Sequence, residues 1–141
     1  MRLKLTVLIF GLLTTAACSH TGKSPLNVVE LIGTGWGLEE MDGGGVADRV
    51  QSTLHFERGD RIAGWGGCNR YFAGLRSHGD TIRIGPIGST RRICPPVVMD
   101  QEDRFFKALE KARNLSMQDA YLIIDCEGIE NPLKFIMIKH F

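Results

Sequence analysis

The chain has no hydrophobic run long enough to cross a bilayer as a helix. Its longest apolar stretch, Leu5–Leu13 (LTVLIFGLL), holds about nine residues against the ~20 that a transmembrane helix needs. It has no excess of either charge, with 17 Lys and Arg against 16 Asp and Glu. That excludes the electrostatic footprint of a nucleic-acid binder or a polybasic membrane surface. It has no C-x-x-C, so thiol oxidoreductase chemistry has no motif to run on. No G-x-S-x-G, H-E-x-x-H or triad signature occurs, and His20, His55, His78 and His140 are scattered without the spacing of zinc ligands. The expectation is a protein with no catalytic residues, no metal and no cofactor.

What is present begins at the N-terminus. Arg2 and Lys4 precede the apolar run, which ends in Thr14-Thr15-Ala16-Ala17-Cys18. A basic n-region, a short h-region and small residues before the cleavage point make a secretory signal over residues 1–17. Small residues immediately before a cysteine resemble the lipobox of bacterial lipoproteins. There the cysteine is diacylated on sulfur and becomes the first residue of the mature chain, so Cys18 is the expected lipid attachment site. Two or three acyl chains anchor stably where one does not. The alternative is an ordinary signal peptide cut near Ala17. Residues 18–25, polar and breaker-rich, read as a lipidated tether. Ser19, with no aspartate there, resembles the sorting of enteric-type lipoproteins to the outer membrane. The expected location is the periplasmic face of that membrane.

About 124 residues remain after the signal, enough for one domain over residues 26–141 with a real core. Glycines at 33, 35 and 37 favour a strand or irregular edge around Trp36, and Gly43-Gly44-Gly45 a flexible loop. Thr53–Glu57 alternates, Gly59-Asp60 offers a turn and Arg61–Gly64 returns, so a hairpin is predicted. Thr81–Ile84 is a further alternating strand behind the turn signals His78-Gly79-Asp80. Over Val97–Ala112 the period changes. Met99, Phe105, Leu109 and Ala112 share one helical face, while Glu102, Asp103, Lys107, Glu110 and Lys111 occupy the others. Pro95 and Pro96 suit the start of that helix. Tyr121–Cys126 and Leu133–Ile138 make a closing hairpin around Gly128 and Asn131-Pro132. Strands, one helix, then more strands give an α+β, mainly β domain or small barrel, the helix covering one face or end.

Two segments go beyond that class: Gly64-Trp65-Gly66-Gly67-Cys68-Asn69-Arg70-Tyr71-Phe72-Ala73-Gly74, and Ile87-Gly88-Ser89-Thr90-Arg91-Arg92-Ile93-Cys94-Pro95 ahead of the acidic helix start. Together they resemble the META/HslJ-like domain family. Its pattern is G-x-x-x-C-N-[RQ]-[FY]-x-G, then S-T-[RKM]-x-x-C, then an acidic helix. The resemblance spans about residues 30–139. It implies a small, highly curved antiparallel sheet or partly closed β-barrel with one packed helix. It also implies an envelope lipoprotein of a group tied to heat or antibiotic stress, and it supplies no catalytic residues. The motif residues Gly64, Gly67, Asn69, Arg70, Ser89, Thr90 and Arg91 are therefore read as structural.

The glycines around Trp65 are not a phosphate cradle, because no lysine follows at Walker spacing and no G-x-G-x-x-G opens a helix. Glycine in a strand marks a bulge or close backbone approach instead. Asn69 reads as a buried amide tying down turning backbone. Arg70 and Tyr71 read as partly exposed contact residues, and Arg91-Arg92 as a solvated edge or a spot for an anionic partner. Asp100, Glu102 and Asp103 read as a charged helix start. Both family segments place a cysteine, so the resemblance implies a Cys68–Cys94 disulfide. Cys126 is then a buried thiol or an alternative pairing partner.

The function expected is that of a non-enzymatic, lipid-anchored envelope protein supporting integrity or stress tolerance through surface contacts. Its partners would be the membrane through Cys18 and an unidentified envelope protein or cell-wall component, with no nucleic acid. A different reading is a small-barrel inhibitor of a periplasmic or host hydrolase, acting through an exposed rigid loop such as Leu75–Thr81. A third is a carrier of an apolar ligand, which would need an interior not filled by Phe56, Phe105, Phe106 and Phe135.

Overall fold

The computed structural model describes residues 22–140; the signal, Cys18 and the first part of the tether lie outside them. In chain order the elements are β1 (Ser24–Pro25), α1 (Val28–Leu31), β2 (Thr34–Met41), β3 (Gly44–Gly45), β4 (Thr53–Glu57), β5 (Arg61–Trp65), β6 (Arg70–His78), β7 (Thr81–Ile84), β8 (Gly88–Ser89), α2 (Pro96–Glu110), β9 (Ala112–Gln118), β10 (Tyr121–Cys126) and β11 (Leu133–His140). Neighbouring strands run antiparallel in the order β9-β10-β11-β2-β4-β5-β6-β7, and β7 returns to β9. The ring is thus an eight-stranded closed barrel, more complete than the partly closed sheet expected. Closure is narrow: Thr81 faces Asn114, and the Leu115 amide donates to the Asp80 carbonyl at 2.8 Å.

Alternation decides which side chains enter the barrel. In β4 Leu54 and Phe56 are buried while Glu57 is exposed, and in β6 Tyr71, Ala73 and Leu75 point inward between exposed neighbours. Trp36, Leu54, Ile62, Leu115, Leu122 and Phe135 complete a filled interior. Burying side chains of this size stabilises by roughly 1.5–3 kcal/mol each relative to exposure. The interior leaves no room of the kind an apolar carrier needs, since Phe56, Phe105 and Phe135 are all at or below 2 % exposure and Phe106 packs beside them.

Two helices close the two ends. α1 carries a capping box, with the Asn27 side chain and Glu30 satisfying each other's backbone donors. It drives Val28 and Leu31 into the end where β2 begins. The Thr34 hydroxyl donates to the Leu31 carbonyl at 2.6 Å and accepts from the Trp36 indole at 2.7 Å, fixing that corner. α2 lies across the opposite end, burying Phe105, Ala108 and Leu109.

Several sequence expectations needed revision. The helix stops at Glu110, and Ala112 already belongs to β9. Gly43–Gly45 is not a free loop, because Gly44 and Gly45 pair with Met41 and Glu40. Leu75–Thr81 is not a loop either; it is the tip of the β6–β7 hairpin, with His78 paired to Thr81. The strands β6 and β9 were not foreseen as such. In β6 the inward Tyr71, Ala73 and Leu75 stand among arginines and glycine, and β9 (ARNLSMQ) has few strand-favouring residues. Both are strands because their neighbours pair with them, a tertiary override of weak local preference.

Candidate functional site

The two motif segments meet at the α2 end of the barrel. Cys68 and Cys94 form a disulfide with Cα atoms 6.0 Å apart and a sequence separation of 26. Cys126 is free and buried, and its thiol is pushed up to about 12, chiefly by burial and then by the Asp125 charge.

Beside the disulfide lies a buried polar clasp. Asn69 is 2 % exposed and Glu102 5 %. One Glu102 carboxylate oxygen, Oε2, accepts from the backbone amides of Cys68 (2.8 Å) and Asn69 (2.6 Å). The other, Oε1, accepts from the Asn69 side-chain NH2 at 2.7 Å. The Asn69 Oδ1 in turn accepts from the Thr90 hydroxyl (2.8 Å) and the Arg92 amide (2.6 Å), while the Thr90 amide donates to the Arg70 carbonyl at 3.0 Å. Helix α2 therefore holds the start of β6, and the start of β6 holds the 90–94 loop. A buried carboxylate is costly unless it is hydrogen-bonded; three donors, two on Oε2 and one on Oε1, serve Glu102 here. Its place on a face read as charged surface is a correction: the helix turns Gln101 and Glu102 inward onto the loops. Gln101 accepts from the Ala47 amide at 2.6 Å and donates to Ser52 Oγ at 3.1 Å, and Ser52 donates to the Gly66 carbonyl at 2.7 Å.

The glycines have steric reasons. A Cβ on Gly64 would stand 2.2 Å from the Thr53 carbonyl oxygen, and Gly67 adopts φ +132° against Val50. Tyr71, expected to be partly exposed, is instead buried, with its hydroxyl donating to the Thr53 carbonyl at 2.8 Å. Burial pushes its pKa well above the ordinary phenol value. Arg70, Ser89, Thr90, Arg91 and Arg92 lie at the surface. Gly88 and Ser89 form β8 against Phe72 and Tyr71. Sequence reasoning brought Cys68, Asn69 and Cys94 together but missed Gln101 and Glu102. A signal was available: a carboxylate in the first two turns of a helix that follows a polar glycine-rich segment can accept from that segment's amides.

Among the described residues no three His, Cys, Asp or Glu side chains converge as a metal site, and no helix is long and apolar enough to cross a membrane. What the arrangement does chemically is fix a surface loop in one conformation.

A closed antiparallel barrel with a helix clasped across one end, and a disulfide joining the two motif loops, defines a compact β-barrel module. The chain belongs to the META domain family, which it matches over residues 29–137. No curated protein matches it. Two solved structures share the fold. One is a protein determined by NMR, 17% identical with TM-score 0.64, over 79% of this chain and 95% of that one. The other is a protein from Burkholderia xenovorans, also determined by NMR, 20% identical with TM-score 0.63, over 94% of this chain and 100% of that one.

Proposed function

We propose that the chain is a non-enzymatic, lipid-anchored envelope protein whose barrel supports envelope integrity under heat or antibiotic stress through contact with an envelope protein or cell-wall component. The observation that carries this reading is the Cys68–Cys94 disulfide, behind a signal over residues 1–17 that is followed directly by Cys18. Disulfides persist in oxidising compartments such as the periplasm and are rare in the cytosol. Acylation of Cys18 holds the barrel at the periplasmic face of the outer membrane, and the rigid module acts by what it presents. Metabolic labelling with a clickable palmitate analogue tests this: wild type carries label in the membrane fraction, and Cys18→Ser loses it. An unlabelled wild-type chain in the soluble periplasmic fraction would contradict it.

The hydrolase-inhibitor reading moves to a different loop. Leu75–Thr81 is a regular hairpin, whereas residues 90–94 form a clamped, exposed loop; tight inhibition of a hydrolase by the purified barrel, lost on mutation there, would favour it.

A further inference from the structure

The 90–94 loop presents an unusual surface. Ile93 is 95 % exposed, the most exposed large hydrophobic residue among those described. It sits directly between Arg92 and the disulfide half Cys94, with Arg91 also at the surface. A water-facing isoleucine is ordinary when its loop can bend away. This loop cannot, because the disulfide holds one side and Asn69 holds Thr90 and the Arg92 backbone on the other. Beside it runs a groove of about 360 Å³ that Ile93, Met99 and Phe106 line with apolar atoms.

The charges point the same way. None of the ion pairs among the described residues engages Arg70, Arg91 or Arg92. The nearby helix acids are already committed, Asp100 to Arg104 and Asp103 to Lys107, and Glu102 to the clasp. Arg91 and Arg92 thus flank a fixed apolar tip with no ion pair of their own, and the acids that share the groove, Glu102 and Asp103, are held by the clasp and by Lys107.

The topology says which way the tip faces. β1 pairs at the Ser116–Met117 end of β9, beside α1, whereas the loop stands at the end covered by α2. The tether therefore leaves from the opposite end of the barrel. About six residues from Cys18 to Ser24 reach at most ~20 Å, less than the ~30 Å run of nine-residue β6.

We propose that Arg91, Arg92 and Ile93 form a preformed docking tip for a protein partner whose surface offers an apolar pocket rimmed by carboxylates. This rests on the reading of the chain as a protein that acts by surface contact. Arginine suits bidentate pairing with carboxylates, and a rigid loop loses little freedom on binding. Of the two kinds of acidic partner, a protein supplies an apolar pocket for Ile93 and a carboxylate-bearing glycan polymer does not.

The test uses the full chain in intact cells, with a photoreactive amino acid at Ile93 or, as a control, at Arg76 on the far hairpin. A discrete protein adduct is expected from position 93 alone, its linked peptide carrying Asp or Glu. Its yield should fall at least tenfold with Arg91→Glu/Arg92→Glu, whose disulfide content is checked by alkylation, and recover when the partner acids are changed to Lys. With the purified partner, Ile93→Ser should weaken binding about tenfold. Adducts only to lipid, equal adducts from both positions, or a protein adduct indifferent to the arginines would each overturn the docking tip. Membrane fractionation in the same cells reads the anchor separately, so failure of one is distinguishable from failure of the other.

Discussion

The carboxylate of Glu102 and the side chain of Asn69 hold each other across 33 residues of sequence, 2.7 Å apart, inside a pocket that also gives Glu102 two backbone amides. This one relationship joins the helix to the barrel wall and, through Asn69 Oδ1, to the loop that carries Cys94.

Removing that carboxylate leaves three buried donors unsatisfied. Glu102→Ala should cost about 3 kcal/mol or more in urea unfolding, given the size of charged hydrogen bonds and the penalty for orphaned groups. Glu102→Gln keeps one oxygen but sets an NH2 against that of Asn69, whose oxygen is already engaged, so a loss of about 2 kcal/mol is expected. A loss below 1 kcal/mol for the alanine variant would remove the clasp from the account.

Two outwardly similar glycines should behave oppositely. Gly64→Ala drives a Cβ into the Thr53 carbonyl, a backbone atom that cannot step aside, and should destabilise by about 2–3 kcal/mol. Gly74 has open space where its Cβ would point and lies mid-strand in β6, so Gly74→Ala should change stability by no more than about 0.5 kcal/mol or raise it slightly. Paired thermal melts decide this.

Much of this architecture was legible from the chain. The β4–β5 and β10–β11 hairpins, the β7 strand and α2 follow from alternation, turn residues and a change of period, and each appears within a residue or two of its expected limits. The disulfide followed from the motif resemblance. What was not legible depends on neighbours. β6 and β9 are strands by virtue of the ring they complete. Glu102 and Gln101 look like surface helix residues until the helix is laid over the loops they bond. Tyr71 stands beside exposed Arg70, and only the inward turn of the strand separates them.

Breaking the bridge tests the other restraint on the loop. Cys68→Ala/Cys94→Ala should lose on the order of 3 kcal/mol by loop entropy, while far-ultraviolet circular dichroism stays native because the barrel core is intact without the sulfurs. Hydrogen exchange should rise at residues 89–95 and not in β10. Loss of the whole barrel spectrum would show the bridge to be required for folding.

Alkaline pH should weaken the fold in a defined window. Cys126 holds its proton up to about 12 against an ordinary value near 9, and Tyr71 is raised further by burial. The folded chain therefore binds more protons than the unfolded one above pH ~9. Stability present below that pH is lost as it rises, by up to ~1.4 kcal/mol per pH unit for each group. Cys126→Ala, compared with wild type by urea midpoints from pH 8 to 11, should show the shallower decline; parallel slopes would contradict the assignment.

The account as a whole stands on an anchored barrel with a single disulfide. The most direct measurement is the intact mass of protein extracted from membranes, alkylated under denaturing conditions before and after reduction. The account predicts a chain beginning at an acylated Cys18, with one thiol labelled before reduction and three after, from Cys68, Cys94 and Cys126. An unmodified chain cut at the signal would contradict the tether, and three thiols labelled from the start would contradict the bridge.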